Sequence, residues 1–104
     1  MSKIRCGWLL PSGEFTECEP YEHLAVAREL VKDRAPYATA DEYLLDHGAV
    51  KIYRESFCGH QWHVNRRGFL SEPQKHFLRP IFEDPDNDIY AYCREEWEDE
   101  AGRQ

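Results

Sequence analysis

The chain has 104 residues, of which 41% are hydrophobic, 13% aromatic and 32% charged, and its formal net charge is −7. This length allows one small domain and excludes large architectures such as a TIM barrel or a two-domain dinucleotide enzyme. The N-terminus carries no hydrophobic leader, and no stretch reaches the roughly 20 apolar residues of a membrane span. We therefore expect a cytoplasmic protein with no membrane partner.

The first half of the chain predicts a hairpin followed by two helices. Hydrophobic residues alternate over 4–10, a Pro-Ser-Gly-Glu turn follows, and residues 15–18 return as a second strand. Helical spacing then runs over 20–33. The segment from Thr39 to Glu42 fits a capping box for a second, short helix, which is expected to end at Gly48.

The second half of the chain predicts another hairpin-type pair of strands, followed by two helices. Residues 49–54 and 61–65 are typical of strands. The segment from Ser71 to Gln74 fits a second capping box, and the apolar helix face that follows is expected to kink or end at Pro80. A last helix is predicted after Asp88. The order ββααββα plus a terminal helix predicts an α+β domain, in which a small antiparallel sheet carries three to four helices on one face.

The predicted core takes the apolar positions of these elements. It comprises Trp8, Leu10, Phe15, Leu24, Ala27, Val31, Leu44, Val50, Ile52, Trp62, Val64, Phe77, Leu78 and Ile81. The strand at 15–18 or the strand at 61–65 is the predicted exposed edge of the sheet, where a second copy of the chain or a partner could pair.

The charge divides the chain into a neutral body, residues 1–82, and an acidic segment, residues 83–104. The body holds eleven acidic and eleven basic residues, whereas the acidic segment holds nine acidic residues against two basic ones. Unlike a solvating tail, the acidic segment also carries Ile89, Tyr90, Tyr92 and Trp97. We therefore expect it to dock on its own body or on a partner.

The opening Gly7-Trp8-Leu9-Leu10-Pro11-Ser12-Gly13-Glu14-Phe15, followed by Cys18 and Tyr21-Glu22-His23, resembles a family of small proteins from bacteria and their phages or mobile elements. Later pieces such as Val50-Lys51-Ile52 extend the resemblance to roughly residues 6–83. It carries over no activity and no catalytic residue. The resemblance implies an accessory protein of phage or mobile-element type, a class whose members often act by binding and disabling a larger host machine.

These features predict a non-enzymatic protein-interaction module that inhibits a host nucleic-acid-acting defence protein. Carboxylates spaced along the acidic segment can imitate phosphates and compete for a basic channel, while aromatic side chains anchor the contact. The predicted partner therefore has a basic surface. The predicted contact residues are Asp86, Asp88, Tyr90, Tyr92, Glu95, Glu96, Trp97 and Glu98.

A zinc-stabilised module is a second interpretation. Thiol and imidazole ligands of the kind that zinc prefers are available at Cys18, His23, Cys58, His60 and His63, although their spacing fits no zinc-finger pattern. No other cofactor is expected. The same thiol and imidazole types could form a nucleophile and base, but no oxyanion loop or nucleophile elbow accompanies them, so we do not expect an enzyme.

A small nucleic-acid-binding domain is a third interpretation. It would use Lys51, Arg54, Arg66 and Arg67, with stacking from nearby aromatic residues. The negative net charge argues against nucleic acid as the partner. The basic strip formed by these residues together with Lys75 and Arg79 could instead receive the acidic segment of the same chain.

Overall fold

The computed structural model of the chain describes residues 5–54 and 62–83. In chain order the elements are β1 (Gly7–Leu9), β2 (Phe15–Glu17), α1 (His23–Val31), α2 (Ala40–Asp46), β3 (Val50–Arg54), β4 (Trp62–Asn65) and α3 (Glu72–Phe82). Short 3-10 turns at Pro20–Glu22, Lys32–Arg34 and Tyr37–Thr39 flank the first two helices. The terminal helix predicted after Asp88 lies outside the described residues.

The strands form one antiparallel sheet in the order β2-β1-β3-β4. Leu9 lies opposite Phe15 on one side and Val50 on the other, and Ile52 lies opposite Val64. The pairs β1–β2 and β3–β4 are thus joined through β1 and β3, which confirms the predicted α+β class. Among the described strands, β2 and β4 are outermost, as predicted.

Helices cover both faces of the sheet, so the prediction of helices on one face is wrong. Trp8 and Leu9 are successive residues of β1 and point to opposite faces, yet both are fully buried. Trp8 clusters with Ala27 of α1 and Leu44 of α2, whereas Leu9 clusters with Leu78 of α3. We name these sides the two-helix face and the one-helix face.

Each face carries its own apolar core. The core of the one-helix face consists of Leu9, Val50, Ile52, Val64, Leu70, Leu78 and Phe82. The core of the two-helix face consists of Trp8, Cys18, Ala27, Val31, Ala40, Leu44 and Ala49. Leu9, Ala40, Ala49, Leu70 and Phe82 are absent from the predicted core.

Part of the predicted core is less buried than expected. Leu10, Phe15, Leu24, Trp62 and Phe77 are only partly buried against the two clusters. The side chain of Ile81 lies outside the described part of the structure. Phe15 and Trp62 are partly exposed because they lie on the outermost strands, β2 and β4, of the described sheet. Leu9 was missed because the prediction assumed that each strand buries one face, whereas this sheet buries both.

The predicted capping box forms at α3 but not at α2. Ser71 has an extended backbone, its Oγ accepts a hydrogen bond from the Gln74 N–H at 3.3 Å, and Gln74 Oε1 accepts from the Ser71 N–H at 2.9 Å. Thr39 has φ −118° and ψ 16° at the end of a 3-10 turn, and its side chain makes no capping hydrogen bond. Its hydroxyl lies 3.4 Å from the carbonyl oxygen of Pro36.

The predicted end of α2 is observed, whereas α3 extends beyond Pro80. Gly48 takes a φ of +91° just after α2, and the Gly48 and Ala49 N–H groups bond back to the carbonyls of Leu45 and Leu44, a Schellman arrangement. This confirms the predicted end of the helix. In contrast, α3 does not end at Pro80, because it continues to Phe82.

Gln74 connects α3 to two distant parts of the chain. Its side chain is 1% exposed, and its Nε2 donates to Leu9 O at 3.1 Å and to Gly48 O at 2.7 Å. With Oε1 accepting from Ser71, both donor hydrogens and the acceptor of the amide are used. This residue therefore ties α3 to β1 and to the turn that precedes β3.

Among the described residues, no helix is both long and apolar enough to cross a membrane.

Candidate functional site

The acidic segment joins the described body at the end of α3. Its first residue, Glu83, is the C-cap of that helix and pairs with Arg79 at 3.3 Å. All the predicted contact residues lie outside the described residues: Asp86, Asp88, Tyr90, Tyr92, Glu95, Glu96, Trp97 and Glu98. The structure therefore locates where the acidic segment begins.

Several basic side chains of the body form ion pairs with carboxylates of the body. The described residues hold ten basic and eleven acidic side chains. Arg67 bonds to Asp46 and lies 3.6 Å from Glu42, both on α2, and these partners raise the pKa of its guanidinium. Further pairs join Arg5 to Glu17, Arg28 to Asp33 and Lys75 to Glu72.

The predicted basic strip is divided rather than continuous. Lys51 and Arg54 lie three residues apart on β3, so their side chains leave opposite faces of the sheet. The Lys51 ammonium lies 5.3 Å from the centre of the Tyr53 ring, and the Arg54 guanidinium lies 5.7 Å from the centre of the Trp62 ring. Arg67 turns toward α2 as described above. The four residues proposed for nucleic acid binding are therefore not brought together on one face.

A row of aromatic and histidine rings crosses the two-helix face. The ring centres of Trp8 and His23 are 5.9 Å apart, and those of His23 and Tyr53 are 6.3 Å apart, both edge-on. Tyr53 then stacks on His63 of β4 at 5.0 Å, with 14° between the ring planes. The row explains how β3 and β4 are held to the start of α1.

His23 serves the fold through both of its ring nitrogens. It is 3% exposed, with Nδ1 2.9 Å from Pro20 O and Nε2 3.1 Å from Ile52 O, and its own carbonyl accepts from Trp8 Nε1 at 2.9 Å. Because both nitrogens face backbone oxygens, His23 is poorly placed to bind a metal ion. Of the other predicted zinc ligands, Cys58 and His60 lie outside the described residues, and His63 is stacked on Tyr53.

Within the described ranges, no group of three or more His, Cys, Asp or Glu side chains is placed to hold a metal ion. The zinc interpretation depends on residues 55–61, so it stays a prediction.

Cys6 and Cys18 face each other across the first hairpin. They continue the β1–β2 register by one pair, and the Cys18 N–H donates to Cys6 O at 3.0 Å. Both thiols are free. Burial raises the pKa of Cys18 to about 11, with Glu22 acting in the same direction, and burial also raises the pKa of Cys6. Since the thiolate is the reactive form, these raised pKa values argue against either residue as a nucleophile.

A cleft that the sequence did not predict lies beside α2, on the side of the β1–β2 turn. It has a volume of about 390 Å³ and is lined by Leu30, Val31, Arg34, Tyr43 and His47, among others. We name it the Tyr43 cleft. The signal in the sequence was weak, because Arg34 stands at an ordinary helix break before Ala35 and Pro36.

Comparisons with protein-family models, with curated proteins and with solved structures gave no match. The resemblance to small bacterial and phage proteins therefore stays a prediction based on short sequence pieces.

Proposed function

We propose that this protein is a non-enzymatic interaction module that binds a protein with a basic surface through its acidic segment, residues 83–104. In the specific form of the proposal, it is a cytoplasmic protein of phage or mobile-element type, and the partner is a host nucleic-acid-acting defence protein that it inhibits. The observation that carries the proposal is the distribution of charge. The whole net charge of −7 resides in the acidic segment, together with large apolar side chains.

The ion pairs of the body support an external partner. If the acidic segment were to dock on its own chain, the body would need a continuous basic surface to receive it. Arg67 is instead held by Asp46 and Glu42, while Lys51 and Arg54 point to opposite faces of the sheet. We therefore favour, as part of the proposal, a protein partner whose basic surface is built for phosphate.

The composition of the acidic segment suits such a contact. Closely spaced carboxylates steer association with a basic channel at low ionic strength. Tyrosine and tryptophan are frequent hot-spot residues, because they bury a large apolar area with few rotatable bonds. Tyr90, Tyr92 and Trp97 would supply this apolar contact, and Glu95, Glu96 and Glu98 the charge.

The test is capture of a partner from a bacterial lysate at low salt, with the full-length chain as bait. One variant removes charge (Glu95→Gln, Glu96→Gln, Glu98→Gln), and a second removes the anchors (Tyr92→Ala, Trp97→Ala). A matched control removes three negative charges from exposed positions of the body (Glu14→Gln, Glu29→Gln, Asp33→Asn). Circular dichroism confirms that each bait is folded.

The proposal predicts that a nucleic-acid-processing protein is retained by the full-length chain and by the control, and is lost or strongly reduced with both variants of the acidic segment. The charge variant should also show a weaker dependence on salt. Equal capture by all four baits would contradict the proposal, because the contact would then lie on the neutral body.

A further inference from the structure

We propose that the Tyr43 cleft binds a small molecule with an apolar body and a single carboxylate. The proposal concerns residues of the body, so it goes beyond the interaction function proposed above. The cleft lies between the α1–α2 pair and the β1–β2 turn, and residues from all three parts line it.

The size and walls of the cleft fit the apolar part of such a ligand. A volume of about 390 Å³ lies within the range of small-molecule sites. Leu10 and Pro11 come from the β1–β2 turn, Leu30 and Val31 from α1, and Leu44 from α2. Since Val31 and Leu44 belong to the core of the two-helix face, the floor of the cleft is formed by firmly packed side chains.

The polar groups of the cleft favour an anion. Arg34 is its permanently charged group, and within the described part of the chain no carboxylate belongs to its lining. Ser12 and Tyr43 add hydroxyl groups that can donate hydrogen bonds to a carboxylate. One guanidinium balances one negative charge, which favours a monocarboxylate over a phosphate that carries two.

The two acidic residues that line a depression together with Arg34 pair with another arginine. Arg34 also lines a second depression of about 370 Å³, together with Glu42 and Asp46. Both of these carboxylates pair with Arg67. Among the described residues, none forms an ion pair with Arg34, so its charge is free to meet a ligand.

The ring pair at the rim gives the cleft a defined shape. Tyr43 and His47 stack with centres 4.0 Å apart and 21° between their planes, and His47 Nδ1 lies 2.8 Å from the carbonyl oxygen of Tyr43. Since a carbonyl only accepts, Nδ1 carries the hydrogen of this bond. The stacked rings thus form a fixed wall, against which the apolar part of a ligand can pack.

The test is a titration of the ¹⁵N-labelled full-length chain, followed by NMR, with octanoate, octan-1-ol and octylammonium below their micelle-forming concentrations. The three probes share one apolar body and differ in charge. We expect octanoate to shift the amide signals of Leu30, Arg34, Tyr43 and His47, and to bind about tenfold more tightly than octan-1-ol. Octylammonium should bind most weakly.

Two variants separate the charge of Arg34 from charge in general. Arg34→Gln should remove the advantage of octanoate over octan-1-ol, whereas Lys32→Gln removes the same charge from the same 3-10 turn, outside the cleft, and should keep that advantage. Equal affinity for octanoate and octan-1-ol, or an unchanged preference in Arg34→Gln, would overturn the proposal.

A competing occupant gives a distinct result. If the chain's own acidic segment fills the cleft, the Glu95→Gln, Glu96→Gln, Glu98→Gln variant will shift the same amide signals without any ligand. That outcome would also overturn the small-molecule proposal. None of these measurements involves the protein partner, so the failure of one proposal leaves the other standing.

Discussion

The two faces of the sheet are covered in different ways. On the two-helix face, the small residues Ala27, Ala40 and Ala49 share the buried cluster with the large ring of Trp8. On the one-helix face, branched and aromatic residues from the strands meet Leu78 and Phe82 of α3. Small residues allow two helices to approach the sheet closely around one large ring, whereas a single helix needs larger side chains to fill the same width.

Each face also contains one buried polar side chain that bonds to the backbone. Gln74 serves the one-helix face with three hydrogen bonds, two of them to Leu9 and Gly48. His23 serves the two-helix face, with its ring between Pro20 O and Ile52 O. A small domain can thus position its covering helices through a few specific polar contacts as well as through apolar area.

The largest expected effect is that of Gln74→Glu. The ionised carboxylate has no hydrogen to donate, so it would face Leu9 O and Gly48 O with like charge in a buried site. We expect a loss of about 3–5 kcal/mol in the free energy of unfolding, measured by urea denaturation. Gln74→Met keeps the size of the side chain without the charge and should cost clearly less. A loss below about 1 kcal/mol in both variants, which keep the size of the side chain but not its donors, would show that packing, not hydrogen bonding, fixes α3.

A smaller loss is expected for His23→Phe. Phenylalanine keeps a ring beside Trp8 and Tyr53 but leaves Pro20 O and Ile52 O without their contacts to the ring nitrogens. We expect a cost of about 1–3 kcal/mol in urea unfolding. Tyr21→Phe, at a side chain that is 85% exposed, is the control and should change stability very little. An unchanged stability of His23→Phe would mean that His23 only fills space.

The raised pKa of Cys18 predicts a loss of stability at alkaline pH. Its pKa is raised from 9.0 to about 11 in the folded chain, so between these values the unfolded chain loses the thiol proton more readily. Stability from this group is therefore complete below pH 9.0 and declines as the pH rises toward 11. We expect the wild type to lose roughly 1–2 kcal/mol more than Cys18→Ala across this window, measured by urea unfolding. Parallel pH profiles would contradict the assignment.

The smallest expected losses of stability are those of substitutions at the two predicted capping boxes. Ser71→Ala removes a cap that forms and also the 2.6 Å hydrogen bond to Pro11 O, so it should cost about 1 kcal/mol in thermal or urea unfolding. Thr39→Ala removes a side chain that caps nothing and should cost only a few tenths of a kcal/mol. A similar loss at both positions would show that Thr39 caps α2 in solution.

The sequence predicted the order of the elements better than their packing. The alternation along β1 predicted that Trp8 points into the core and that Leu9 points to solvent. The prediction for Leu9 is wrong, because the sheet is covered on both faces. The two capping boxes have the same residue pattern, but the 3-10 turn before α2 places Thr39 outside the extended backbone that a cap needs. Local patterns cannot report such tertiary context.

For the candidate sites, too, local features were visible in the sequence, whereas features that depend on tertiary packing were not. The charge partition that defines the acidic segment is visible in the sequence alone, whereas the division of the basic strip is not, because it depends on strand register and on the position of α2. Gln74 was recognised as part of a capping box, but its carbonyl partners lie 65 and 26 residues away. The Tyr43 cleft likewise depends on how three separate segments meet.

Competition with nucleic acid for the captured partner tests whether the acidic segment imitates phosphate. A labelled DNA or RNA bound to that partner is titrated with the full-length chain, and anisotropy follows its release. We predict full displacement by the wild type, and displacement at least about tenfold weaker by the Glu95→Gln, Glu96→Gln, Glu98→Gln variant. Stable binding of both the chain and the nucleic acid to the partner at the same time would contradict it.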